Sequence, residues 1–184
     1  MRYARGILVP ARRRTGYNYS MVKQRDGRCA GRGKPREASM HEGYDKVFVA
    51  LDGTEQQDFV LARAIKVAEN NNAHLVVGHV IDSTALEAAG SYPADLVQGL
   101  QDAFTSSIAA QIDEAKNNPA IPSVEVMIRA GRIRETLKEE MLDVVKPDLV
   151  LCGARGLSSI KYALLGSIST FLLRNTDCDI LVVK

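Results

Sequence analysis

The chain has 184 residues, 46% of them apolar and 25% charged, which is the makeup of a globular domain and not of a low-complexity or fibrous chain. No apolar run approaches the roughly 18 residues that cross a bilayer, and the run GILVP near the N-terminus is too short for a signal peptide. The formal net charge of +2 hides an asymmetry: residues 1–40 carry eleven Lys/Arg against Asp26 and Glu37, while the remainder carries 13 basic and 20 acidic side chains.

Residues 1–43 include ARRRTGYNYS and RDGRCAGRGKPRE. So polar a segment cannot bury enough apolar surface to offset its ordering entropy. The expectation is a basic, disordered extension (1–43) ahead of one folded domain (44–184), with Met40 near its start. The arm's charge also suits nucleic acid or an anionic membrane surface. Apart from that arm, neither partner is expected. Cys29, Cys152 and Cys178 have no metal-like spacing, so a cytoplasmic chain with reduced thiols is expected. No metal ligand set is read.

From residue 45 the pattern turns regular. KVFVALD predicts a first strand ending at Asp52. GTEQQDFVLARAIKVAENNNA predicts a helix through Leu61, Ile65 and Ala68, with Thr54 and Gln57 spaced as a capping box. HLVVGHVID is the second strand, and a less regular stretch follows to Gly99. The next helix passes through Ala103, Ile108 and Ile112. VEVMIRAG is the third strand. RIRETLKEEMLDVV is a helix with Ile133, Leu137, Met141 and Val144 on one face. DLVLCG is the fourth strand, SISTFLLRNT a short helix and CDILVVK the fifth strand. Strands alternating with helices, each strand almost continuous in Val, Ile and Leu, predict an α/β fold: a single domain with a parallel sheet and helices on both faces.

In such sheets, ligands sit beyond the carboxyl ends of the strands. Asp52 ends the first strand and Val80, Ile81 and Asp82 end the second. GARGLSSIKYALLGSIST, with Gly153, Gly156 and Gly166-Ser167, follows the fourth. Glycine lets a ligand approach the main chain. A helix N-terminus presents unpaired N–H groups at its positive end, a phosphate site that needs no lysine. Ser167 is expected to cap that helix and offer its hydroxyl to a phosphate oxygen. G-x-x-x-x-G-K-[ST] is absent, as is G-x-G-x-x-G after the first strand. Gly153-x-x-Gly156 alone also fits the RNA-clamping loop of KH domains, whose fold context is different. His79, inside an apolar strand, reads as structural, and Cys152 as a small core residue.

The full spacing, Gly153, two residues, Gly156, nine residues, Gly166-Ser167, resembles the ATP-binding signature of the universal stress protein family. VALDGTE, HVID, VKPDLVLCGARG and the terminal DILVVK are similar too, so the resemblance covers residues 45–184. It implies a five-stranded parallel sheet of order 3-2-1-4-5. It further implies that Asp52 contacts the nucleoside, that Val80 lines the adenine pocket, and that Cys152 stands where an apolar residue precedes the first motif glycine. Gly153, Gly156, Gly166 and Ser167 match the phosphate-binding positions. Ala50 departs from a proline frequent in the family, and Arg132-Ile133 from a frequent x-Pro. Neither removes a phosphate donor.

The implied cofactor is ATP, with Mg2+ as its accompanying ion. The segment around the glycines offers Ser158, Ser159, Lys161 and Tyr162 but no carboxylate or histidine to serve as base or water-orienting group. The reading is therefore a nucleotide-dependent stress-response regulator, with a slow ATPase or nucleotide-transferring enzyme as the alternative. A homodimer is expected. ILVVK would leave an apolar strand open at the sheet edge, and antiparallel pairing with a second copy would close both edges.

Overall fold

The computed structural model of the protein describes residues 7–9, 43–84, 94–154 and 165–184. Strand β1 is Ile7–Val9, β2 Lys46–Leu51, β3 His74–Asp82, β4 Val124–Gly131, β5 Leu149–Gly153 and β6 Asp179–Val183. Helix α1 is Gln57–Asn71 and α2 is Ala94–Lys116. Ile133–Glu135, Thr136–Leu142 and Asp143–Val145 run on as one helical segment, α3, whose middle part has π geometry. Helix α4 is Ser167–Asn175.

The sheet order is β1-β6-β5-β2-β3-β4. All pairings from β4 through β6 are parallel. Counting only those five, the order is 3-2-1-4-5, as the family resemblance implies. Alternation of side chains splits the core in two. Val47, Val49, Leu75 and Val77 pack with Leu61 and Ala64 of α1 and with Phe104 and Ile108 of α2. Phe48, Val76, Val150 and Val182 pack on the other face with Leu137 and Met141 of α3 and Leu172 of α4. Gly78 belongs to this second face because a Cβ there would lie 2.1 Å from Phe48 Cζ; the ring rests on bare main chain.

The sixth strand is a correction. The open edge expected at the end of the chain is covered, because β1 pairs antiparallel with β6, Leu8 opposite Leu181. Ile7–Val9 belong to the basic arm, for which no element was expected; the rest of residues 1–42 lies outside the described residues.

Three details of the helices also differ from expectation. Thr54 and Gln57 form no capping box: Thr54 Oγ1 donates to Asp52 Oδ1 and Gln57 Nε2 to Ser107 Oγ. On α2 the buried face holds Phe104 where Ala103 was expected. On α3 Val144 is 66% exposed and Leu142 is buried. Leu142 lies five residues after Leu137, the spacing of a π turn, so the wider turn rotates the following residues off a regular helical register.

Candidate functional site

Beyond β2 the chain builds β3 and β4 to one side of it, then crosses to place β5 on the other. The switch point lies between β2 and β5, and ligands in open α/β sheets bind outside the carboxyl ends at such a point. Ala50 pairs with Cys152 as the last rung of the β2–β5 ladder. Asp52 and Ala154 each lie two residues further on, so they leave the sheet side by side.

Asp52 Oδ1 accepts from both the backbone N–H (3.1 Å) and the hydroxyl (2.8 Å) of Thr54. This is an Asx turn, and it holds the intervening Gly53 at φ +76°, a region glycine enters without penalty. The device recurs one strand over. Asp82 Oδ1 accepts from Thr84 N at 3.0 Å and from Thr84 Oγ1 at 2.5 Å. These bonds from Thr84 hold the Asp82 carboxyl below its usual range. The signal for this pair was present in the sequence as DGT and DST at two successive strand ends, but the threonines were not read as partners.

Below the first turn lies His79. Its ring stacks on Phe104 with centroids 3.9 Å apart, and Nδ1 lies 3.0 Å from the carbonyl oxygen of Leu51. Burial is the main influence on the ring and lowers its pKa, against smaller raising effects from the Leu51 carbonyl and the Asp52 charge. The neutral ring with Nδ1–H donating to Leu51 fits this geometry. His79 is thus the structural histidine the sequence suggested, and it supports the peptide that leads into Asp52.

After β5, Ala154 N donates to Val183 O (2.7 Å), and Gly166 N donates to Ala154 O (2.7 Å). The second bond ties the start of α4 to the end of β5, beside Asp52. Residues 155–164, with Gly156, lie outside the described residues. Gly166 is the N-cap of α4, at φ −74° and ψ 171°, a conformation any residue adopts. Its lack of a side chain is therefore not demanded by the turn. Its carbonyl accepts from Thr170 N and Ser169 Oγ. Ser167 does not cap the helix. It is the first helical residue, exposed, and no side chain caps this N-terminus. Gly166 takes the cap position, one residue earlier than expected, and the Ser167 hydroxyl faces outward.

Val80 and Ala50 are half-buried and pack at the margin of the α3–α4 face. Cys152, on that face, is buried, and burial pushes its thiol up to about 12, so it is a protonated core side chain. The structure thus brings Asp52, Val80, Gly153 and Gly166-Ser167 to one end of the sheet and leaves the Cys152 thiol beneath it. An exposed acidic turn, a small apolar surface, and a glycine-capped helix start whose first N–H groups lack intrahelical partners suit a ligand with a polar sugar-like part, a flat apolar part and an anionic tail. Among the described residues, no group of three or more His, Cys, Asp or Glu is placed to hold a metal ion.

Comparison with known proteins agrees with this architecture. A protein of Staphylococcus saprophyticus named for the universal stress proteins is 28% identical over 141 residues, which are 77% of this chain and 84% of that one. The solved universal stress protein UspA from Lactobacillus plantarum superposes with a TM-score of 0.61 at 17% identity, over 77% of this chain and 99% of the other. A universal stress protein solved in complex with cAMP superposes with a TM-score of 0.51 at 26% identity, over 77% of this chain and 97% of the other. No described helix is long and apolar enough to cross a membrane. The model of the universal stress protein family matches residues 43–184, and the chain belongs to that family.

Proposed function

We propose that this chain binds ATP, with Mg2+ as counter-ion, at the β2–β5 switch point, and that its nucleotide state regulates partners in a stress response. The observation that carries this reading is the bond from Gly166 N to Ala154 O, which holds a glycine-capped helix N-terminus beside Asp52. Backbone N–H groups of α4 and the Ser167 hydroxyl would hold the phosphates, Asp52 the ribose, and Val80 with Ala50 the base. That a relative is solved with cAMP supports an adenine nucleotide as the class of ligand.

Binding is favoured over turnover because the described titratable groups near the site are engaged in structural roles. Asp52 and Asp82 each hold their own turn through Oδ1, and His79 is committed to Leu51 and Phe104. A general base must be within reach of its water and free to accept a proton. We also propose that β6 is the edge through which two copies of the chain associate, by two-fold antiparallel pairing of β6 with β6 when that edge is free of β1.

The test is mass analysis of small molecules released when the purified protein is denatured, followed by calorimetric titration with ATP. The expected result is an adenine nucleotide, with ATP binding restored after its removal and negligible phosphate release on incubation. A protein that carries no nucleotide and shows no heat of ATP binding overturns the reading. Steady multiple turnover would replace it with the enzyme alternative.

A further inference from the structure

Strand β1 reads Ile7-Leu8-Val9, and the strand it covers contains Ile180-Leu181-Val182. The register makes the repetition meaningful. Ile7 pairs with Val182, Leu8 with Leu181 and Val9 with Ile180. An antiparallel two-fold pairing of β6 with a second copy, centred on Leu181, would set Ile180 against Val182, Leu181 against Leu181 and Val182 against Ile180. Position by position, the arm presents to β6 the residue that a second copy would present.

We infer that Ile7–Val9 is an internal mimic of β6 that occupies the dimer edge in cis, so that the edge accepts a second copy of this chain only when the arm leaves it. This rests on the dimer reading above and adds its control. An unpaired strand edge is a template for any compatible strand, and the two candidates differ in opposite ways. The arm belongs to the same chain, so it competes for the edge at an effective concentration that does not fall on dilution, whereas a second copy's does. It contributes only three residues, however, whereas β6 of a second copy offers Asp179–Val183, five residues paired symmetrically about Leu181. Proximity favours the arm and length favours the second copy, so modest changes tip the balance. Charge adds to the tether, since the arm is strongly basic and the remainder of the chain acidic. Two copies approaching each other lack that attraction.

The test compares the full chain with a full-length variant carrying Ile7→Pro, Leu8→Pro and Val9→Pro. Proline has no N–H to give to a ladder, so the triple change removes the arm's donors whichever of the three rungs are hydrogen-bonded. Sedimentation velocity across the micromolar range reads association, and hydrogen exchange of the Ile180, Leu181 and Val182 amides reads edge pairing. The expected result is a wild-type monomer whose β6 amides are protected at every concentration. The variant should associate at least about tenfold more tightly, with β6 protection that rises with concentration. Equal dimerisation of both proteins overturns the inference and leaves the dimer reading standing. A folded, monomeric variant with unprotected β6 amides overturns both. A wild-type dimer that becomes monomeric in the variant means that the arm pairs in trans, and a variant that loses its cooperative melt means that β1 is part of the fold; either outcome overturns the inference.

Discussion

The two ends of the sheet are held in different ways. At the amino ends of the strands, polar groups reach across the chain. Asp148 Oδ2 accepts from the backbone N–H groups of Asp45 (3.1 Å) and Lys46 (2.9 Å), and Lys46 Nζ donates to Val145 O. Tyr44 OH donates to Asp179 Oδ2, and the Tyr44 N–H donates to Asn71 Oδ1. These bonds join residues up to 135 positions apart, so they fasten β2 to β5, β6 and α1. At the carboxyl ends, the carboxylates of Asp52 and Asp82 bond only two residues along the chain, and the long-range ties from Ala154 are made by main chain. One end uses side chains to close the fold. The other organises its carboxylate turns locally, with His79 as a side-chain tie to Leu51, and carries the helix N-terminus proposed above to meet the ligand. Substitutions at the two ends should therefore separate stability from binding.

The largest effect is expected at Gly166. Valine fits the backbone conformation there, and its side chain would fill the space in front of the α4 N-terminus. Replacing a tolerated glycine cap costs stability of about 1 kcal/mol. Losing two or more hydrogen bonds to a charged ligand, each worth roughly 1.5–3 kcal/mol, should weaken ATP by at least about a hundredfold. Ser167→Ala, which removes one exposed hydroxyl worth roughly 0.5–3 kcal/mol, should weaken it only in part. Calorimetric titration of both folded variants gives the ranking; unchanged affinity in Gly166→Val would place the phosphates elsewhere.

At the opposite end, Asp148→Ala should do the reverse. It strands two backbone donors that a carboxylate now satisfies, a loss of roughly 1.5–3 kcal/mol and hence a Tm lower by about 5 °C. ATP affinity should stay within about a factor of two, since the site lies at the far end of β2 and β5. Differential scanning calorimetry beside ATP titration checks this. A variant of full stability and impaired binding would erase the contrast between the two ends.

What was legible in the sequence follows the range of each signal. Four of the five parallel strands announce themselves because they are buried on both faces, so their apolar runs need no partner to be recognised; the edge strand β4, only partly buried, keeps enough Val, Met and Ile to read the same way. The position of Asp52, Gly153 and Gly166 at the carboxyl edge was legible for a related reason: strand ends and glycines mark that edge. Strand β1 was not legible. Three apolar residues inside a basic arm carry no periodicity, and what makes them a strand is an edge more than 170 positions away. The π segment of α3 depends on packing against the sheet and not on local propensity, so Val144 was assigned a face that Leu142 holds. Thr54 and Ser167 show the limit of capping rules. Both residue types cap helices, but here Thr54 is drawn to Asp52 and Gly166 already occupies the cap.

The smallest effect sharpens the comparison from within the site itself. His79 is stacked under the Asp52 turn, and burial lowers its pKa from 6.5 in the folded chain. The unfolded chain therefore binds a proton on this ring at a higher pH than the folded chain does. Where the unfolded state binds more protons, stability rises with pH. The His79 contribution is thus fully present above pH 6.5 and is lost as the pH falls from there toward the lower folded value. Thermal melts across that window should show wild-type Tm dropping on acidification more steeply than in His79→Gln, whose amide can still donate to Leu51 but does not titrate. Asp52→Asn should steepen the wild-type drop, because the Asp52 charge is one of the influences holding the His79 pKa up. Asp82 acts in a separate window. Its folded pKa lies below 3.8, so what it contributes is lost only as the pH falls through the acid range, and it leaves the histidine region undisturbed. Parallel wild-type and His79→Gln curves would show that the imidazole under the turn is not kept neutral by the fold.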